Sequence, residues 1–128
     1  MNQLPGLFLN DSPRGGRGVF TSRPIPAGSV IELAPVIVLS PGDRRRIHDT
    51  HLHDYYFLWD NDGAAIALGY GSLYNHSPTP NAEFTLDYEF AQIRFTALRD
   101  LAAGEEIVTD YTSGQERAEL WFLPVETK

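Results

Sequence analysis

The chain has 128 residues, 42% of them hydrophobic, and no cysteine; that is enough for one core and excludes disulfide frameworks and cysteine-ligated zinc. Seventeen acidic side chains against ten basic ones give a formal net charge of −7, which repels phosphate backbones and attracts cationic peptides, so direct binding of nucleic acid is not expected. No run approaches the roughly 18 consecutive apolar residues that span a bilayer, and the opening MNQLPGLFLN lacks a basic start and a small-residue cleavage site, so the expectation is one soluble, intracellular domain over 1–128 without a membrane partner.

In chain order, strand-like runs rich in β-branched and aromatic residues occupy 19–22, 30–39, 65–68, 84–86, 92–97 and 106–109. Eleven glycines and nine prolines punctuate them. Helical patterns are predicted only over 42–56 and 114–122, neither with a clean apolar face. The fold class is therefore mostly β with short helices. The stretch from Arg23 to Ile31 is echoed by Arg99 to Ile107; each reads as strand, turn, strand, with Gly28 and Gly104 supplying the turn, so the pair is read as matching corners of one β domain. The basic run Arg44 to Arg46 reads as a solvated helical face.

Three segments carry candidate chemistry. Arg14-Gly-Gly-Arg-Gly-Val-Phe20 is a glycine turn entering a strand, where missing side chains let the backbone approach a ligand closely. Gly69 to Asn81 packs Asn75, His76 and Asn81 between glycines and prolines. Asn offers donor and acceptor together, which suits a polar ligand, although Asn and His in such a loop also brace it. Asn75-His76-Ser77 spells a glycosylation acceptor as well, a reading that the missing secretion signal disfavours. Gly104-Glu-Glu-Ile-Val-Thr-Asp-Tyr111 is a strand ending in an acid and a tyrosine.

Taken together and in this order, the glycine turn, the Asn-His-Ser loop and the Glu-Glu-Ile-x-x-Asp-Tyr strand resemble the SET-domain protein lysine methyltransferases over about residues 14–122. Segment lengths are most similar to the short stand-alone SET proteins of viruses and bacteria, which implies a bacterial cytoplasm or a viral host's nucleus. The resemblance implies several small β-sheets around a C-terminal pseudoknot. It also implies transfer of a methyl group from S-adenosylmethionine, leaving S-adenosylhomocysteine, to a lysine amine in a protein or peptide, with a histone tail as one candidate. By resemblance, Gly16, Arg17 and Gly18 hold the methionine end of the cofactor, Asn75 and His76 form its second motif, and Tyr111 is the catalytic tyrosine. Tyr55, Phe84, Thr109 and Tyr111 would line the lysine channel. No cysteine-rich zinc segment can follow Tyr111 here, and Trp121 is assigned to cover the adenine instead. Thr109 stands where relatives often carry Phe or Tyr two residues before the catalytic tyrosine; Phe84, on a neighbouring predicted strand, is read as filling the same space, and without an extra hydroxyl to hold a water the pocket is read as open to di- or trimethylation.

Displacement at a sulfonium requires the amine nitrogen, methyl carbon and sulfur to be in line and the amine uncharged. A narrow aromatic channel and a nearby positive sulfur both disfavour the ammonium form of a lysine that ordinarily titrates near ~10.4, so no dedicated general base is required. His48, His51 and His53 fall within six residues, but a helix over them would turn His53 away from the other two, so no metal site is read there. The alternative is a non-catalytic SET-like module that binds lysine-bearing tails. A chain this small is also open to completing its groove by homodimerising.

Overall fold

The computed structural model describes residues 2–112; the expected helix over 114–122 and Trp121 lie outside them. The described strands form two sheets. The first runs in the order β1 (Leu7–Asp11), β2 (Arg17–Thr21), β9 (Glu106–Thr109), β6 (Asn75–His76). The second runs β4 (Tyr56–Leu58), β5 (Ala64–Ala67), β3 (Val30–Leu39), β8 (Gln92–Ala97), β7 (Ala82–Asp87). Their inner faces meet on Val19, Ile31, Ile93, Phe95, Leu101 and Ile107, all buried. The expected mostly-β class with short helices is the one observed.

The predicted strands at 30–39, 92–97 and 106–109 are observed with those bounds. Strict alternation would bury every second residue of β3. Ile31 and Glu32 are nonetheless both buried, because the pairing with β8 slips at a bulge between Val30 and Glu32. That slip brings a carboxylate into the core.

The predicted helix over 42–56 is corrected to a shorter one. Helix α1 covers Pro41–His48, started by Ser40, whose hydroxyl accepts the Asp43 N–H at 3.1 Å. Thr50 ends the helical run: its hydroxyl donates to the Ile47 carbonyl at 2.6 Å and accepts the Leu52 N–H at 3.1 Å, diverting the chain into a 3-10 turn at His51–Asp54. Tyr56-Phe-Leu58 then extends and pairs with β5 instead of continuing a helix. β1 and β6 were also absent from the sequence expectation. The first depends on pairing with β2, which stacks Phe8 on Phe20 at 5.8 Å, and the second is two residues long and exists because β9 runs parallel beside it.

The echoed corners pair with each other. Ile25 N–H donates to the Leu101 carbonyl at 2.9 Å and Leu101 N–H returns to Ile25 at 2.8 Å. Gly28 donates to Ala97 and Gly104 to Thr21 in matching positions. Both glycines have positive φ, 85° and 93°, and nothing lies near the place a Cβ would occupy, so the residue type is set by the backbone angle and not by space.

Strand β9 is fastened by the loop that follows β6. The Ser77 N–H donates to the Thr109 carbonyl at 2.9 Å. Asn81, 4% exposed, donates from Nδ2 to the Glu106 carbonyl at 2.8 Å and accepts the Val108 N–H at 2.9 Å. Asn81→Ala leaves a buried N–H and C=O without that partner and is expected to cost about 2–3 kcal/mol. Urea unfolding should show a lower midpoint at unchanged slope; an unchanged midpoint would show that Asn81 does not fasten the strand.

Candidate active site

The glycine turn closes through Ser12 N–H to the Gly16 carbonyl at 2.9 Å and then enters β2. Because β9 lies between β2 and β6, the pairings Phe20 with Glu106 and Asn75 with Val108 bring three segments distant in sequence side by side. Where they meet, Asn75 is 3% exposed and donates from Nδ2 to the Arg17 carbonyl at 3.0 Å and to Glu106 Oε2 at 2.8 Å. Both partners are pure acceptors, so the amide orientation is fixed, with Oδ1 as its acceptor end. The other Glu106 oxygen accepts the Ser12 hydroxyl at 2.8 Å and Arg14 Nη1 at 3.1 Å. A Cβ on Gly18 would collide with Glu106 Oε2 and come within 2.9 Å of Asn75 Nδ2. Glycine is needed there for space.

Glu106 carried no separate role in the sequence reading, yet a signal was present. Glu105 and Glu106 are adjacent where the chain enters β9, and neighbours in extended chain point to opposite sides, so beside a covered sheet face one of the two turns inward. Glu105 pairs outward with Arg99 at 2.8 Å, which together with the Ala102 N–H holds its carboxyl below the usual range; Glu106 turns inward, its side chain 5% exposed.

Tyr111 is tied at two points. Its N–H donates to His76 Nδ1 at 3.0 Å and its hydroxyl donates to the Tyr74 carbonyl at 2.8 Å. Accepting at Nδ1 places the proton of a neutral His76 ring on Nε2, and that ring lies 5.0 Å from the phenol ring. Asp110, the acid of the third motif, accepts the N–H and hydroxyl of Thr112. The last described residues of the chain are thereby turned back against β6.

The structure gathers Gly16, Arg17, Gly18, Asn75, His76 and Tyr111 around the β2–β9–β6 edge. Thr109 is buried and pairs with His76. Tyr55 is half-buried beside the His51 ring at 5.7 Å; burial and Asp54 raise its phenol pKa, while the charge of Arg17 pulls it back. Phe84 sits in the second sheet, with ring contacts to Phe57 at 5.2 Å and Phe95 at 6.3 Å.

The histidine cluster differs from the expectation. Because α1 stops at His48, the ring of His53 swings back to lie 4.1 Å from that of His48, and its Nδ1 donates to the His48 carbonyl at 2.9 Å. Among the described residues no group of three or more His, Asp or Glu side chains is placed to hold a metal ion. Burial, then the neighbouring His53, lower the His48 pKa below its usual 6.5. The unfolded chain then takes up a proton before the folded one does, so His48 withdraws stability as pH falls below about 6.5 and withdraws none above it. Melting temperatures from pH 7.5 to 5 should fall less for His48→Asn than for the parent chain; parallel curves would refute this assignment.

A strand fastened between a glycine turn and an Asn-His loop, ending in a tyrosine that folds back onto that loop, defines a β protein of the SET type. The sequence pattern of the SET domain matches residues 16–112, and the chain belongs to the SET-domain family. It is 34% identical over 117 residues to a Schizosaccharomyces pombe histone-lysine N-methyltransferase specific for lysine 37 of histone H3, covering 91% of this chain and 76% of that protein. A crystal structure of a Plasmodium falciparum protein designated a candidate histone methyltransferase superposes with a TM-score of 0.70 at 27% identity, over 84% of this chain and 94% of that one. A humanized mutant of the Chaetomium thermophilum Polycomb Repressive Complex 2, bound to the inhibitor GSK126, shares the fold with a TM-score of 0.73 at 21% identity, over 94% of this chain and 16% of that one. Family membership and the fission-yeast relative support protein lysine methyltransferase activity in general terms.

The residues present suit the cationic, amino-acid end of S-adenosylmethionine. Asn75 Nδ2 is held by the Arg17 carbonyl and by a Glu106 carboxylate that is itself paired with Arg14, so the acceptor this arrangement offers beside the glycine turn is Asn75 Oδ1, and the missing Gly18 side chain keeps that turn close to Asn75. Among the described residues no helix is long and apolar enough to cross a membrane.

Proposed function

We propose that the chain is an S-adenosylmethionine-dependent protein lysine methyltransferase acting on a lysine in a basic protein, with a histone tail as the first candidate. The observation that carries this reading is the double tether of Tyr111, which fixes a phenol beside the edge where Arg17, Gly18, Asn75 and Glu106 converge.

When bound, S-adenosylmethionine supplies an electrophilic methyl group on a positively charged sulfur. Gly16, Arg17 and Gly18 would hold its amino-acid end through the main chain, Asn75 Oδ1 would accept from its ammonium group, and His76 would contribute main-chain contacts. The Tyr111 hydroxyl orients the incoming amine; Tyr55 and the buried Thr109 line its approach and shed its water, which favours the uncharged amine. No side chain needs to remove the proton, since the amine loses it to water before transfer. The net charge of −7 draws lysine-rich substrates toward the chain.

Radiolabelled S-adenosylmethionine and core histones test the reading, with the product lysine located by mass spectrometry and a peptide array extending the search to other basic proteins. Cofactor binding by calorimetry without label transfer to any peptide would favour a non-catalytic module that binds lysine-bearing tails. Because Thr109 brings no phenol next to the reaction centre, di- and trimethyl products are expected at long times; a product that stops at monomethyl would show that another group fills that space.

A further inference from the structure

Glu32 is a buried charged residue outside the site described above. It stands 1% exposed in β3, and its carboxylate accepts the Tyr74 hydroxyl at 2.6 Å, the Tyr70 N–H at 3.0 Å and Gln3 Nε2 at 2.9 Å. A carboxylate so far from water persists only when its lone pairs are met, and here three donors from two segments meet them. Gly69 leaves the necessary room, since a Cβ there would collide with Glu32 Oε2.

The carboxylate therefore grips the segment from Gly69 to Tyr74 at both ends, Oε2 at the Tyr70 N–H and Oε1 at the Tyr74 hydroxyl. Tyr74 is 2% exposed and its ring lies 4.5 Å from that of Phe95. Burial, then the charge of Glu32, push its phenol well above the usual tyrosine range, so it remains a donor. The backbone carbonyl of this clamped residue is the one that receives the Tyr111 hydroxyl at 2.8 Å.

We propose that Glu32 is a positioning residue for the Tyr111 phenol, acting through Tyr74: by clamping the Tyr74 side chain it fixes the carbonyl that orients the Tyr111 hydroxyl. The proposal rests on the reading of Tyr111 as the reaction-centre phenol. A merely structural staple would weaken the fold without regard to Tyr111, whereas a positioning residue loses its effect once the Tyr111 hydroxyl is gone.

The test is a cycle of Tyr74→Phe, Tyr111→Phe and the double variant. Tyr74→Phe keeps the ring and the carbonyl and removes only the hydroxyl that reaches Glu32, so it carries the test even where Glu32→Gln fails to fold. With radiolabelled S-adenosylmethionine and core histones, Tyr74→Phe should lower kcat about fivefold or more with KM for the cofactor within about twofold, and should cost nothing further in the Tyr111→Phe background. Equal fold-losses in both backgrounds would overturn the proposal. Independently of activity, the protein is labelled with 3-fluorotyrosine and the Tyr111 fluorine resonance is assigned by its loss in Tyr111→Phe. That resonance should shift or broaden in Tyr74→Phe; a resonance that stays in place overturns the proposal. Failure of the parent chain to label histones or arrayed peptides counts against the methyl-transfer reading alone, and the fluorine spectrum still decides whether Tyr74 positions Tyr111.

Discussion

Tyr111→Phe is expected to lower methyl transfer by about tenfold or more, equivalent to about 1.4 kcal/mol or more of transition-state stabilisation, while S-adenosylmethionine still binds. The substitution removes one atom. The Tyr111 N–H keeps its bond to His76 Nδ1 and the ring keeps its imidazole neighbour, so one of the two tethers still holds the backbone in place. What disappears is the hydroxyl that donates to the Tyr74 carbonyl at 2.8 Å, the group proposed to orient the incoming amine in a reaction that depends on alignment. Single-turnover rates with saturating cofactor, read beside calorimetric affinity, separate the two effects. Unchanged turnover would remove Tyr111 from the reaction centre, and a parallel loss of cofactor affinity would make it a binding residue instead.

A second large effect is expected at Gly18. In Gly18→Ala the new methyl group meets Glu106 Oε2 and the Asn75 amide, so one of the two must leave its present position. Glu106 is held by Ser12, Arg14 and Asn75, and Asn75 by Arg17 and Glu106, and a network of this kind does not yield in one place only. Overpacking of this sort costs about 1–3 kcal/mol of stability. The larger consequence is for binding: displacing the Asn75 amide should weaken S-adenosylmethionine by about tenfold or more, since about 1.4 kcal/mol separates each decade of affinity. Calorimetric titration of a variant shown to be folded checks this. Full affinity in that variant would mean that the β2 turn and Asn75 do not hold the cofactor.

The sequence by itself determined the strands at 30–39, 92–97 and 106–109 and the positive-φ corners at Gly28 and Gly104. It also located three motifs that meet in space. These features rest on local chemistry: β-branched runs extend, turns need glycine, and motif spacing is carried by the chain itself. The end of the predicted helix was also written locally, in the Thr50 hydroxyl bonds to Ile47 and Leu52 that brought His53 back onto His48, although periodicity does not register them. Tertiary structure decided the rest. β6 became a strand only because β9 lay beside it. The partners of Glu106 include Ser12, 94 residues away, and those of Glu32 include Tyr74, 42 residues away; which carboxylate turns inward, and what meets it there, is set by sheet order and by a bulge. Contacts over such separations depend on how strands are ordered, and no local preference encodes that order.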